Sequence, residues 1–212
     1  SMFEGCAELS SVTLPDTIRT IGLGAFANCT SLEEIELPEG LTEIAQAVFA
    51  GTALTQIDLP STVTAIGESA FEGVAISSVD LTNVTTIGAR AFYGTLLTEV
   101  SSDSVISVGD EAFTFDSAAA GEPASSRLTS VSFPNAESIG ARAFANCASL
   151  TSVQLPAVKT IGAEAFSGCA SLATLNVDAA ETVGSSAFAG TQALTGISLP
   201  NVQSIGALAF SG

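Results

Sequence analysis

Phenylalanine recurs through this chain at a nearly constant interval, and this period constrains the fold more than any other feature. Successive members of the series are separated by 23, 23, 22, 21, 21, 31, 22, 22 and 22 residues. Such a period is typical of stacked repeats, in which one repeat is too small to bury its own apolar face. We therefore expect about ten coils sharing one core, with the rings in one internal column. The rings are those of Phe3, Phe26, Phe49, Phe71, Phe92, Phe113, Phe144, Phe166, Phe188 and Phe210.

Each repeat also contains a short apolar alternation that predicts a β-strand. Leu32, Ile35 and Leu37 are one such set, and the last two alternate as in a strand. Stacked coils would pair these strands into a parallel sheet with ~4.8 Å between neighbours. A proline often follows, as at Pro38, and its missing N–H ends the ladder.

The second half of each repeat predicts a bend followed by a helical turn. A second apolar pair closed by glycine, as in Ile18, Ile21 and Gly22, indicates a short extended segment and a bend. The next stretch, such as 163–166, lacks proline and β-branched residues, which favours a single helical turn on the flank opposite the sheet. Glycine or asparagine two residues after the phenylalanine favours a left-handed conformation at the end of that turn.

An insertion at residues 114–127 accounts for the one interval of 31 residues. Its small, polar, low-complexity composition favours a surface bulge over a binding loop. Phe115 is its single aromatic candidate. This ring has a structural role if it docks on the coil, and is a candidate aromatic contact for a partner if it is exposed.

The repeat resembles the BspA-like leucine-rich repeat family of bacterial surface proteins. Residues 150–156 read LTSVQLP and residues 161–169 read IGAEAFSGC, which is close to the full family pattern. The resemblance covers the whole chain except residues 114–127. It implies a curved, right-handed leucine-rich repeat solenoid with its parallel sheet on the concave face. It also implies a cell-surface or secreted location and an adhesion or host-protein-binding role, and it implies no catalytic site.

Charge excludes some classes of partner. The chain has 22 acidic and 5 basic residues, a formal net charge of −17, which repels nucleic-acid phosphates and anionic membranes and favours cations or basic partners. Residues 1–106 hold 14 of the acids and 2 of the bases, so a cation or basic-partner site is expected there. No apolar run approaches the ~20 residues of a membrane helix, so no membrane insertion of this segment is expected.

The residue types give little support for catalysis. The chain has no histidine, the commonest general base, and no nucleophile or phosphate-loop motif. We therefore predict a non-enzymatic chain without a cofactor or a committed metal site. Cys6, Cys29, Cys147 and Cys169 share one repeat position, and we favour free thiols packed as small apolar groups over disulfides or zinc.

The outward positions of the first strand are the predicted binding face. They run from acidic to neutral polar down the stack, and like charges facing each other across strands destabilise a sheet. We hypothesise that this acidic file attracts a basic partner segment or loosely held divalent cations, the alternative being simple solvation. Its carboxylates are Glu34, Glu36, Asp58, Asp80 and Glu99, and the partner-binding candidates are these five with Gln56 and Phe115.

Two functions stay open from the sequence. The first is a protein- or glycan-binding, adhesion-type segment of a surface protein, and the alternative is a purely structural spacer. We expect one domain over 1–212, excised from a longer protein, because both ends cut through a coil where caps are usual. Such uncapped ends would allow end-to-end self-association.

Overall fold

The computed structural model describes residues 2–115 and 126–212, which form a parallel β-solenoid of about seven turns. Two ladders of short strands run along it. The larger has eight strands in the order β1-β2-β3-β5-β7-β9-β11-β12, and the smaller has four in the order β10-β8-β6-β4. All neighbouring strands pair in parallel, with equivalent residues of successive repeats in register, as for Ile44 with Ile66. The strands are β1 Glu43–Ile44, β2 Ala65–Ile66, β3 Thr86–Ile87, β4 Glu99–Ser101, β5 Ser107–Val108, β6 Ser130–Ser132, β7 Ser138–Ile139, β8 Ser152–Gln154, β9 Thr160–Ile161, β10 Thr174–Asn176, β11 Thr182–Val183 and β12 Ser204–Ile205.

The second apolar segment of the repeat forms the larger sheet. The sequence had predicted that the first segment would form the main sheet and the second only a short extended piece before the bend. The predicted main strand forms a ladder only in β4, β6, β8 and β10. The predicted count of about ten coils is not supported, because eight strands are joined by seven turns of the chain. The repeats that contain Phe3 and Phe26 contribute a ring and a turn but no strand.

The phenylalanine rings stand in one column, as the period predicted. Successive rings of the series lie 5.1 to 5.8 Å apart between centroids, nearly parallel throughout. From Phe26 to Phe188 every ring of the series is buried. The neighbouring Phe133 packs against Phe113 at 6.3 Å with a tilt of 34°. Dispersion and apolar burial therefore act along the whole stack.

The predicted helical turns are absent: the described residues contain no helix. The residue two positions before the phenylalanine has a left-handed backbone, with φ of 54° at Ala47 and 57° at Glu164, and so does the glycine or asparagine two positions after it. Two left-handed residues within five prevent the run of right-handed residues that a helix needs. The left-handed glycine and asparagine positions were predicted correctly. The left-handed position two residues before the phenylalanine could not be predicted, because many residue types occupy it, among them alanine, serine, arginine and glutamate.

Alternate backbone N–H groups in these turns donate to the neighbouring coil, and the N–H groups between them donate within the turn. The N–H groups of Ala47, Phe49 and Gly51 donate to carbonyls of the next coil at 2.8, 3.0 and 2.8 Å. The same three-bond pattern recurs along the stack, so the turns form a third ladder beside the two sheets. A helix would direct these bonds along its own axis, so on this flank the coils would be joined by side chains alone.

The glycine after the second strand allows the coils to approach closely. A Cβ at Gly162 would lie 2.5 Å from the backbone nitrogen of Ala141 in the preceding coil. At the equivalent glycines 140 and 184, a Cβ would lie 2.5 Å from the backbone nitrogen of Asp110 and 2.4 Å from that of Ala163. Because the nearest atoms belong to the backbone, they cannot move aside as the end of a flexible side chain could. Only glycine therefore fits at this position without a shift of the coils.

Gly162→Ala should therefore destabilise the protein by about 1–3 kcal/mol, the range for overpacking. Gly22→Ala is the matched control, because a Cβ there meets nothing within 4 Å. Urea titration followed by circular dichroism gives both values. Equal effects of the two substitutions would contradict the steric argument.

Phe166→Ala should cost about 3–5 kcal/mol, because it opens a cavity between two stacked rings. The centroid of the Phe166 ring lies 5.2 Å from that of Phe144 and 5.4 Å from that of Phe188. Ser167→Ala, at the neighbouring and partly exposed position, is the control. A loss below about 1 kcal/mol for Phe166→Ala would argue against a shared core.

Candidate functional site

A groove of about 400 Å³ lies on the face formed by the first apolar segment, at the end of the solenoid nearest the first residues. It brings together Glu34, Glu36, Gln56 and Asp58, four of the predicted partner-binding residues. Their side chains are exposed, while Ile35 and Ile57 between them point toward the core. The rest of the lining is Ser11, Val12, Thr13 and Leu14. The exposed polar side chains thus border the groove, and Ile35 and Ile57 form an apolar floor that is continuous with the core of the solenoid.

The strand ladder is missing between the coils that form the groove. No backbone hydrogen bond joins residues 33–37 to residues 55–59, or residues 55–59 to residues 77–81, in the described structure. The ladder begins at Glu99–Ser101, whose neighbours in β6 carry serine at the outward positions. It ends at β10, although the next coil carries the neutral residues Gly196 and Ser198 at the same positions. Pairing is therefore confined to the middle of the stack and does not follow charge alone.

The two widest ring separations of the column lie at this end. Centroids are 5.8 Å apart for Phe26–Phe49 and 5.6 Å apart for Phe49–Phe71, but 5.1 Å apart for Phe113–Phe144. The turn ladder between the same coils keeps backbone hydrogen bonds of 2.7 to 3.0 Å, so the coils remain in contact along the turns.

Asp80 and Glu99 continue the acidic file but lie outside the groove. An oxygen of Asp80 accepts hydrogen bonds from the N–H and hydroxyl of Thr82, at 2.9 and 2.5 Å. These bonds stabilise the charged carboxylate and lower the pKa of Asp80. Asp80 lines a smaller depression of about 250 Å³ that also contains Glu39. Glu99 lies in β4, exposed, opposite Ser130.

The groove carboxylates have no basic partner within the part of the chain that the structure describes. The ion pairs there involve Glu72, Glu111, Glu137 and Glu164, none of which lines the groove. Nor do the described residues include any group of three carboxylate, cysteine or histidine side chains arranged to hold a metal ion. The geometry therefore offers separate acidic side chains along a groove.

Phe115 is buried, at 4% exposure, and so matches the docked alternative for this ring. Its N–H donates to the Ala145 carbonyl at 3.1 Å, in the ladder position that asparagine or glycine holds in other repeats. Thr114 before it donates its hydroxyl to the Arg142 carbonyl, and Ser126, near the end of the insertion, is also buried. The ring is packed inside the fold here, so it gives no exposed aromatic contact. The remainder of the predicted 114–127 loop, residues 116–125, lies outside the described residues.

A row of alternating charges on the turn face was not predicted from the sequence. The Arg90 guanidinium lies 2.5 Å from Glu72 and 2.6 Å from Glu111, and its carbon is 4.0 Å from the centre of the Tyr93 ring. Arg142 continues the row at 3.9 Å from Glu111. The hydrogen bonds from Arg90 lower the pKa of Glu72. Arg90, Glu111 and Arg142 occupy the same left-handed position in three successive repeats. An alignment of the repeats on this position shows the alternation of charge in the sequence.

The four cysteines are free thiols, as favoured from the sequence. Cys29, Cys147 and Cys169 are buried, and each thiol donates to a phenylalanine carbonyl of the preceding coil, at 3.1 to 3.3 Å. Burial raises the pKa of all three thiols, to about 12 for Cys147. These groups therefore stay protonated and unreactive at neutral pH.

Alkylation with iodoacetamide at pH 8 should modify only Cys6 in the folded protein, because Cys6 is exposed and the other three are buried. All four should react in denaturant without a reductant. Intact-mass measurement counts the adducts. Fewer than four adducts after unfolding would reveal a disulfide, and more than one before unfolding would contradict the burial of the other three.

The repeat matches a known family over nearly the whole chain. The model of the BspA type leucine rich repeat region matches residues 1–119 and 124–212, with 6 copies. This chain belongs to that family. The resemblance found in the sequence is thereby confirmed, and the solenoid is a leucine-rich repeat fold. No curated protein sequence matches the chain significantly.

Solved structures of leucine-rich repeat proteins share this fold. A leucine-rich repeat protein from Eubacterium ventriosum is 23% identical with a TM-score of 0.72, over 96% of this chain and 58% of its own. A leucine rich cell surface protein from Faecalibacterium prausnitzii is 24% identical with a TM-score of 0.53, over 95% of this chain and 61% of its own. The chain thus spans about three fifths of these two proteins. At this identity they show the fold alone.

Proposed function

We propose that this family member is a non-enzymatic, adhesion-type binding segment of a bacterial cell-surface or secreted protein. The observation that carries the proposal is the groove in which Glu34, Glu36 and Asp58 lie together with no strand ladder between their coils and no basic partner among the described residues. The first-segment face, which we take as the concave side of a right-handed solenoid, is the binding face. The described residues contain no helix able to cross a membrane.

The preferred occupant is a basic protein segment in an extended conformation. Glu34 and Glu36 lie two residues apart, an interval of ~6.7 Å in an extended segment, which alternate lysine or arginine side chains of an extended partner share. A glycan fits less well, since the groove lining contains no aromatic ring on which a sugar could stack. Contacts between exposed charges are screened by salt, so a modest affinity is expected.

Membership of a bacterial surface-type family supports the proposed location. The Faecalibacterium prausnitzii structure with the same fold is described as a cell surface protein. The strongly acidic surface is consistent with contacts to basic partners outside the cell.

A spacer role is the second candidate, and the small number of exposed apolar side chains along the solenoid favours it. Among the described residues, large exposed hydrophobic side chains lie in the first two repeats and the last one, with Ile106 as the exception at 44%. A polar cover of this kind suits a segment that only holds other parts of a protein apart. The spacer predicts no saturable binding in the groove.

A fluorescein-labelled octapeptide of alternating lysine and serine tests the binding proposal by fluorescence anisotropy at ~0.15 M salt. The triple variant Glu34→Gln, Glu36→Gln, Asp58→Asn should weaken binding about tenfold, because it removes three contacts worth up to ~1 kcal/mol each. It should also reduce the dependence of affinity on salt.

The matched control removes three exposed carboxylates outside the groove: Glu68→Gln, Asp103→Asn and Asp178→Asn. It changes net charge equally and should weaken binding less than about twofold if the groove is the site. Equal losses in the two triple variants would show nonspecific attraction. No saturable binding by the unmodified chain would favour the spacer.

A further inference from the structure

The floor of the acidic groove is apolar and partly open to solvent. In β6 and β8 the equivalent inward side chains, Val131 and Val153, are 1% and 0% exposed. Ile35 in the groove is only partly buried, although a coil of the chain lies on each side of it. Ile57 beside it is 6% exposed. A ligand in the groove can therefore contact apolar surface and acidic side chains at the same time.

Two of the groove carboxylates are stacked one above the other in the repeat. Glu36 and Asp58 occupy the same position in successive coils, and both side chains are exposed. Neither pairs with a basic group among the described residues. Like charges in this arrangement repel each other, and a cationic group that pairs with both would relieve the repulsion. A well-matched ligand group must reach two carboxylates and lie against an apolar floor.

The chain itself shows that arginine can do this. The Nε and Nη2 atoms of Arg90 donate to the two carboxylate oxygens of Glu72 at 3.2 and 2.5 Å, and its Nη1 donates to Glu111 at 2.6 Å. The two glutamates belong to the coils on either side of Arg90. The guanidinium carbon lies over the ring of Tyr93, 4.0 Å from its centre. One arginine thus pairs with carboxylates of two coils while its flat face covers an apolar surface.

Lysine in a comparable setting pairs with one coil only. Lys159 lies between Glu137 and Glu181, which directly precede the strands on either side of its own. Its ammonium group is 3.1 Å from Glu137, whereas no ion pair within the described residues joins it to Glu181. An ammonium group is compact and strongly hydrated, and it lacks the planar fork of a guanidinium. Paired carboxylates on neighbouring coils therefore suit arginine better than lysine.

We propose that the groove selects arginine over lysine, with one guanidinium of the partner bridging Glu36 and Asp58. This inference rests on the proposed function, because it assigns the chemistry of the partner at the same site. The guanidinium directs several N–H groups at the two carboxylates, and its flat face lies against Ile35 and Ile57. Because a guanidinium is more weakly hydrated than an ammonium group, it loses less on contact with this floor. The partner is an extended protein segment that bears arginine.

Two fluorescein-labelled octapeptides of equal length and charge, one alternating arginine with serine and the other lysine with serine, test the inference by fluorescence anisotropy at ~0.15 M salt. The arginine peptide should bind the unmodified chain about five- to tenfold more tightly, because only a guanidinium can fork between the two carboxylates. The double variant Glu36→Gln, Asp58→Asn should reduce this ratio of affinities to less than about twofold.

The matched control is the double variant Asp103→Asn, Asp178→Asn, which removes the same charge at exposed positions outside the groove. It should keep the full preference for arginine, and circular dichroism of both variants verifies that they are folded. Equal affinity of the two peptides for the unmodified chain would overturn arginine selection while leaving the basic-segment groove in place. An arginine preference that persists in the groove variant would overturn the bridge between Glu36 and Asp58. No saturable binding of either peptide would overturn the proposed function and this inference with it.

Discussion

Contact between successive coils is the interaction on which the rest of this structure depends. It combines a column of phenylalanine rings at 5.1 to 5.8 Å with backbone ladders and with glycines that face backbone at about 2.5 Å from a would-be Cβ. Each coil has no core of its own and is stable only through its neighbours. Surface residues can consequently vary from coil to coil without disturbing the fold, which allows acidic, neutral and alternating charged faces on one scaffold.

The acidic groove lies where one of the ladders is absent. No backbone hydrogen bond joins residues 33–37 to residues 55–59, whereas the same segment pairs in register in β6 and β8. The ladder is also absent between residues 174–176 and 196–198, whose outward residues are neutral, so charge alone does not decide where it forms. The apolar floor of Ile35 and Ile57 keeps the segment in place at the groove. The shared core and the other ladders thus hold the coils together where this ladder is missing.

On the turn face, opposite charges of neighbouring coils lie next to each other. Arg90 lies between Glu72 and Glu111, and Arg142 follows, so each basic group bridges acids of neighbouring coils. Such partly exposed pairs contribute little individually, on the order of 0–1 kcal/mol. They satisfy carboxylates locally, whereas the groove carboxylates have no basic partner among the described residues. The two faces of one acidic chain therefore differ in what they can attract.

The sequence by itself determined the repeat, the ring column, the left-handed glycine and asparagine positions and the free thiols. Each follows from a residue type that recurs at one position because sterics or burial allow few others there. It also predicted an acidic file, of which Glu34, Glu36 and Asp58 line the groove while Asp80 and Glu99 lie outside it. Only the tertiary structure decided that the second apolar segment forms the larger sheet, that the turns are not helical, that Phe115 is buried and that Arg90 bridges two coils. These outcomes depend on hydrogen bonds and charges between coils about 22 residues apart in sequence, and no single repeat carries that information.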